Sequence, residues 1–169
     1  RISDVAKKIT NDYEIIIVND GSPDNSLSIA VEIQNNDEKV TVVELSRNFG
    51  HHKAIMTGLY QSKGDYVFLI DCDLEENPEY LEDLWFEMKA STDIDVVYGV
   101  QRRRKGGFYE RLSGHLFYRL FNYISQVNYP ANTLTSRLMT RDYINSVLMY
   151  SEVEYDIWCI FVLVRSEER

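Results

Sequence analysis

Hydrophobic and polar positions along the chain switch between the two-residue period of strands and the longer period of helices. Continuous runs of β-branched and aromatic residues predict four strands, at Tyr13–Asn19, Val40–Leu45, Asp65–Ile70 and Ile94–Val100. Apolar residues at helical spacing predict intervening helices at Ser26–Gln34, at Ala54–Gln61 and from a start at Asn77-Pro78-Glu79, with Asn77 as the cap, to about Ala90.

The remainder of the chain predicts two more helices with an extended piece between them. Phe108–Val127 has an apolar stripe flanked by Arg111, His115 and Arg119, which suits either packing on the sheet or lying on an anionic bilayer. A short extended segment follows at Leu134–Met139, and Thr140 is placed to cap a last helix.

The alternation of strands and helices predicts an α/β fold, with a mostly parallel, Rossmann-like sheet flanked by helices and one domain over all 169 residues. Ligands of such sheets bind at the carboxyl ends of the strands. In this chain those ends are Asn19–Asp24, Ser46–Gly50, Asp71–Glu75 and Gly99–Lys105.

Charge narrows the class of ligand. The net charge of −9 argues against nucleic-acid binding. Asp65–Asp95 holds eleven acidic residues and one basic residue, whereas Gln101–Leu120 holds six basic and one acidic. This arrangement suits a site for a metal and a phosphorylated ligand, or simply two solvated faces. Two cysteines that lie far apart indicate a reduced, cytoplasmic compartment, and no apolar run reaches the roughly 20 residues that a membrane span needs.

The segment Asp71-Cys72-Asp73-Leu74-Glu75 directly follows an apolar strand. In extended chain, Asp71, Asp73 and Glu75 would share one face, and their mutual repulsion would be relieved by a divalent cation. Oxygen ligands favour Mg²⁺ or Mn²⁺. The same residues could instead form an acidic loop that caps the next helix.

Three other strand ends carry candidate binding residues. Asp20, in a turn that also contains Ser22, could accept from a base or a ribose hydroxyl, or could only cap a helix. Arg47 could contact a nucleotide or lie on the surface. The basic loop Arg102–Gly107 could close over a diphosphate or an acceptor phosphate, or could simply be a solvated loop. His51 and His52 are interpreted as residues of a helix start.

Four segments, in this order and spacing, resemble family 2 glycosyltransferases: IIIVNDGSPDNS, ELSRNFGHHKAIMTGL, GDYVFLIDCDLEENPEYL and VVYGVQRRR. The likeness runs from about Tyr13 to Met149 and is greatest to dolichol-phosphate mannose synthases and bacterial polyprenyl-phosphate glycosyltransferases.

The resemblance implies a GT-A fold, a UDP- or GDP-linked sugar donor and Mg²⁺ or Mn²⁺. It further implies that Asp20 contacts the base, where Ser22 and Arg47 are the other candidate nucleotide-binding residues, and that Asp71 and Asp73 bind the donor and the metal, with Glu75 in the metal shell. Asp73, Arg104 and Arg137 would be the catalytic residues, with Arg137 near the acceptor.

Departures from the family pattern bear on the acceptor. Thr135 stands where many relatives have an Asp that could act as a base, Asn19 replaces a commoner Asp, and Gln101 replaces a common Arg. The family's first strand and the C-terminal membrane helices of many members are expected to be missing from these 169 residues.

A lipid-phosphate acceptor needs no strong base. We therefore expect inverting transfer to polyprenyl phosphate, with peripheral contact at the inner face of the cell membrane. Extension of a capsule or lipopolysaccharide glycan, a non-catalytic nucleotide-sugar-binding module, and nucleotidyl or phosphoryl transfer by the same acidic pair are the alternatives.

Overall fold

The computed structural model describes residues 1–91, 93–100, 133–149 and 160–161. The described elements are α1 (Ile2–Ile9), β1 (Ile15–Asn19), α2 (Ser26–Asn36), β2 (Val40–Glu44), α3 (His51–Gln61), β3 (Tyr66–Leu69), α4 (Tyr80–Ala90), β4 (Val96–Val100), β5 (Thr133–Thr140) and α5 (Arg141–Met149). The predicted helix Phe108–Val127 and the basic loop with Arg104 lie outside the described residues.

Strands β1 and β2 form a parallel pair, in which Ile15 lies opposite Val40 and Asn19 opposite Glu44. The parallel direction follows from the α2 crossover between them. Ile15 to Val18 of β1 are half-buried, and Asn19 at its end is buried. Within the described ranges β1 pairs on one side only, which leaves its other edge uncovered by a strand.

The other described strands form a three-stranded sheet in the order β3-β5-β4. β5 lies between the other two and runs antiparallel to both, so β3 and β4 run in the same direction. The strand-and-helix alternation did not predict this insertion. A predicted β3–α4–β4 unit would place its two strands side by side, but the extended segment Leu134–Met139 occupies the position between them.

Adjacent residues of β5 face two different helix layers. Met139 belongs to the core formed with Ile55 and Leu59 of α3 and with α5. Leu138 belongs to the core formed with α1 and α4. The sheet is therefore covered on both faces, as an α/β fold requires.

A bulge interrupts β5 on its β4 side. Arg137 lies opposite Tyr98, but Thr133 lies opposite Val100, so three residues of β5 stand against Gly99 alone. The missing side chain of Gly99 makes room, because a Cβ there would lie 2.8 Å from Cδ1 of Leu134. Bulges of this kind turn a strand and re-aim its side chains.

The N-terminal helix α1, which was not predicted, packs on α4. Val5 of α1 is buried against the α4 residues Leu81, Leu84 and Met88. Two surface ion pairs flank this contact, Arg1 with Glu79 at 2.7 Å and Lys8 with Glu82. The apolar spacing of Ile2, Val5 and Ile9 was the signal in the sequence.

Of the two predicted helix caps, one is confirmed and the other is wrong. Thr140 caps α5 as expected, since its hydroxyl accepts from the backbone N–H of Tyr143 at 3.3 Å. Asn77 does not cap α4, which begins at Tyr80. Asn77 instead contributes its carbonyl oxygen, which accepts from the Tyr80 N–H at 3.0 Å in a tight turn ahead of the helix.

No helix in the described part of the chain is long and apolar enough to cross a membrane.

Candidate functional site

Asp20 joins the end of β1 to the loop after β2. Its Oδ1 accepts from the Phe49 N–H at 2.7 Å, and its Oδ2 accepts from the Gly50 N–H at 2.8 Å. The adjacent Gly21, at φ +67°, brings the two loops into contact, since a Cβ there would lie 2.7 Å from the Asn48 nitrogen. The carboxylate predicted to bind a nucleotide thus also fixes the geometry of two strand ends.

The other nucleotide-binding candidates lie beside this junction on the surface. Ser22 is exposed in the turn after Gly21. The Arg47 guanidinium lies 4.9 Å from the Phe49 ring centroid, and the Lys53 ammonium lies 5.9 Å from the same ring. An exposed aromatic ring with two cations nearby gives this loop a positive face.

The acidic segment does not continue β3 as extended chain. β3 ends at Leu69, and the chain turns from residue 72 to residue 76. Oδ1 of Asp73 accepts from the Glu75 N–H at 2.9 Å, and Leu74 has a left-handed backbone with φ +63°. The argument that Asp71, Asp73 and Glu75 share one face of an extended strand is therefore wrong.

Among the described residues, no three His, Cys, Asp or Glu side chains lie together as a metal-binding group. Asp73 and Glu75 are exposed and Asp71 is partly exposed. The donor set still suits Mg²⁺ or Mn²⁺, because these ions take oxygen ligands and share their coordination with phosphates and water.

His51 is the residue that links α3 to the acidic turn. Its Nε2 lies 3.7 Å from Oδ1 of Asp71, and about half of the His51 side chain is exposed. Since His51 directly follows Gly50, the loop held by Asp20 reaches the end of β3 through this contact. Interpretation of His51 as a helix-start residue is confirmed, but it is also a neighbour of the predicted metal ligand.

Glu76 links the acidic turn to β5. Its buried carboxylate accepts from the Thr135 N–H at 2.8 Å through Oε1 and from the Ser136 N–H at 2.6 Å through Oε2. Both donors belong to the bulge opposite Gly99. Glu76 was not among the predicted site residues, and its signal in the sequence, a further acid after Glu75, is indistinguishable from a solvated charge.

Arg137 is 4% exposed and lies at the other side of the same bulge. Its Nε donates to the Thr135 carbonyl at 3.1 Å, and its Nη2 donates to the Leu134 carbonyl at 3.2 Å. Its guanidinium also lies 4.3 Å from the Phe161 ring centroid. The predicted acceptor-site arginine therefore holds the backbone of its own strand.

A continuous series of contacts joins four strand ends. It passes from Asp20 to Gly50, from His51 to Asp71, and from Glu76 to Thr135. The structure thus brings together the predicted residues Asp20, Arg47, Asp71 and Asp73 at one end of the fold, whereas Arg104 lies outside the described residues.

Comparison with known proteins gives a match over most of the chain. A family model described as "Glycosyl transferase family 2" matches residues 1–148. A protein of Mycobacterium tuberculosis (strain CDC 1551 / Oshkosh) named as a glycosyltransferase is 49% identical over 90% of this chain. An undecaprenyl-phosphate 4-deoxy-4-formamido-L-arabinose transferase of Proteus mirabilis (strain HI4320) is 36% identical over 65% of it.

Solved structures agree on the fold. Glucosyl-3-phosphoglycerate synthase from Mycobacterium tuberculosis, solved with UDP, superposes with a TM-score of 0.58 over 86% of this chain, at 18% identity, and the chain covers 52% of that structure. The α/β fold of GT-A type is thereby confirmed. The chain spans 44% of the length of the mycobacterial relative and 33% of that of the Proteus relative.

Proposed function

Because the chain belongs to glycosyl transferase family 2, we propose that it forms the donor-binding part of an inverting, metal-dependent glycosyltransferase. The donor is a nucleotide-diphosphate sugar and the acceptor a polyprenyl phosphate. The observation that carries the proposal is the series of contacts that joins the loops of Asp20, His51 and Asp71 at one end of the strands, which is where α/β folds bind nucleotides.

The predicted site residues each have a role in the proposed chemistry. Asp20 and Ser22 would contact the base and ribose, and Arg47 would contact the nucleotide. Asp71 and Asp73 would hold the metal, and Glu75 would be a further oxygen ligand only if the ion draws the three side chains together, since they do not form a metal-binding group in the described structure. When bound, the metal neutralises the charge that develops on the diphosphate leaving group. Arg104, which lies outside the described residues, is proposed to stabilise the same leaving group with a second positive charge.

The transfer step is a single displacement. An acceptor oxygen forms a bond to the anomeric carbon as the bond from that carbon to the diphosphate oxygen breaks, and the nucleoside diphosphate leaves with the electron pair. The configuration at the anomeric carbon is inverted. A phosphate oxygen is already anionic near neutral pH, so no proton has to be removed and Thr135 in place of an acid is compatible with turnover.

Relatives named undecaprenyl-phosphate 4-deoxy-4-formamido-L-arabinose transferases support a lipid-phosphate acceptor over a glycan hydroxyl. Such an acceptor would bring the enzyme to the cytoplasmic membrane surface through peripheral contact. The solved neighbour with UDP shares the fold alone and leaves the choice between UDP and GDP to experiment.

The test is a panel of UDP- and GDP-sugars, each with and without Mn²⁺, read by thermal shift and calorimetry on the full-length enzyme. One nucleotide class should stabilise the protein only with metal, by about 2.7 kcal/mol at a concentration 100 times its dissociation constant. Asp73→Asn should abolish most of this metal-dependent stabilisation, because one metal ligand is lost.

Asp12→Asn is the matched control, since Asp12 is exposed and precedes β1 at the opposite end of the strand from Asp20. It should bind as the wild type does. With the preferred donor, undecaprenyl phosphate should become a glycosylated lipid. Equal binding with and without Mn²⁺ would contradict the metal, and transfer only to a glycan would contradict the acceptor.

A further inference from the structure

The bulge in β5 is held from two sides by charged side chains. The backbone N–H groups of Thr135 and Ser136 both donate to the Glu76 carboxylate. The carbonyl groups of Leu134 and Thr135 both accept from the Arg137 guanidinium. These backbone groups therefore find their hydrogen-bond partners in the carboxylate of Glu76, on the acidic turn, and in the guanidinium of Arg137, on β5 itself.

The arrangement depends on the irregular backbone. In a regular strand, successive N–H groups point to opposite edges, so one carboxylate cannot accept from both. At the bulge they converge and form a concavity of the kind that binds anions. Glu76 fills it with bonds of 2.8 and 2.6 Å. A buried carboxylate with two such donors is fixed in position.

We propose that Glu76 is a positioning residue that sets the distance between the donor-binding acidic turn and the acceptor side of β5. This role rests on the proposed function. Glu76 lies three residues after Asp73 on the same turn, and it accepts from the backbone N–H of Thr135, which stands where many relatives have an Asp that could act as a base. Movement of either partner changes the distance over which the sugar must be transferred.

Glu76→Gln tests this role, because an amide has one acceptor oxygen and its NH₂ would face the second N–H donor. We expect kcat to fall by about 10- to 100-fold, since displacements of about 1 Å have such effects. The acceptor KM should rise, whereas Mn²⁺-dependent donor affinity should stay within about threefold. A purely structural role would lower the melting temperature without this split between donor affinity and turnover.

Two controls isolate the carboxylate. Glu87→Gln makes the same change at an exposed position of α4 and should leave kinetics unaltered. Ser136→Ala removes a buried hydroxyl that has no hydrogen-bond partner within the described part of the chain. Because the Ser136 N–H remains, this variant should retain both the donor affinity and the kcat of the wild type.

Amide hydrogen exchange tests the contact independently of activity. In the wild type, Thr135 and Ser136 should be protected to a degree comparable with Leu138, and Glu76→Gln should speed their exchange at least tenfold. If both amides of the wild type exchange as fast as solvent-exposed amides, the proposal is overturned, whether or not the variant folds.

Wild-type kcat in Glu76→Gln, or an equal loss of donor affinity and kcat, would also overturn it. Failure of the wild type to bind any nucleotide sugar would instead contradict the proposed function. Hydrogen exchange would still test the contact of Glu76 with Thr135 and Ser136 in that case.

Discussion

At the scale of single residues, two carboxylates accept hydrogen bonds from pairs of successive backbone N–H groups across a gap between strands. Asp20 holds Phe49 and Gly50, and Glu76 holds Thr135 and Ser136. Each acid shapes its loop before any ligand binds. A carboxylate oxygen has two lone pairs, so Asp20 can still accept from a base or ribose.

Asp20→Asn should lower the free energy of unfolding by about 1–3 kcal/mol, because one of two N–H groups loses its acceptor and meets an NH₂ group. Asp24→Asn is the matched control, since the exposed Asp24 accepts from the Ser26 N–H at 3.0 Å through Oδ1, and an amide oxygen can accept this bond as well. Urea unfolding should place that variant within about 0.5 kcal/mol of the wild type. Equal stability of Asp20→Asn would show that the two bonds are replaced by solvent.

At the scale of elements, the contact of α1 with α4 combines an apolar centre with ion pairs at its rim. The hydrogen bond from Arg1 lowers the pKa of Glu79 below its ordinary value of 4.5. The hydrogen bond with Glu82 raises the pKa of Lys8 above its ordinary value of 10.5. The Glu79 contribution is present above pH 4.5 and is lost as the pH falls through the lowered pKa. The Lys8 contribution is present below pH 10.5 and is lost as the pH rises through the raised pKa.

Glu79→Gln should therefore flatten the acid side of the stability profile, with a smaller fall in melting temperature between about pH 5 and pH 3 than in the wild type. The difference should shrink in 1 M NaCl, because exposed pairs are screened. Thermal unfolding across this pH range provides the measurement. An identical acid slope in the two proteins would mean that the Arg1–Glu79 pair is not formed in solution.

Elements with a clear local signal could be predicted, and those that depend on distant contacts could not. The β-branched run of β1 and the Thr140 cap are local patterns, and both predictions are confirmed as a strand and a cap. The antiparallel position of β5 depends on how it pairs with β3 and β4, which its own residues do not encode. The turn at Leu74 was not predicted, because the sequence argument assumed extended chain after β3.

At the scale of the whole molecule, β5 is the strand on which the two core layers meet. Met139 is fully buried, at 0% exposure, whereas Met149 on α5 is 81% exposed. Met139→Ala should cost about 2–5 kcal/mol of unfolding free energy through lost burial and a cavity. Met149→Ala should change it by less than about 0.5 kcal/mol. Urea unfolding of both variants checks this, and similar losses would contradict the assigned core.

The residues of the candidate site also divide into those that the sequence predicted and those that depend on contacts between distant segments. Residues that lie within two positions of a strand end, such as Asp20 and Asp71, were predictable because parallel strands bring their carboxyl ends to one side. His51 and Glu76 were missed as site neighbours. Their roles arise from contacts with Asp71 and with Thr135, which is 59 residues from Glu76 in the chain.

The two-faced packing of β5 has a consequence for how the chain can change length over evolution. Leu138 and Met139 are adjacent but pack in different cores. Inserting or deleting one residue between Arg137 and Thr140 would therefore turn a side chain of this segment toward the wrong core. The bulge beside Gly99 already accommodates surplus residues. Natural insertions and deletions in β5 should therefore gather at Leu134–Ser136 and be absent from the segment that follows.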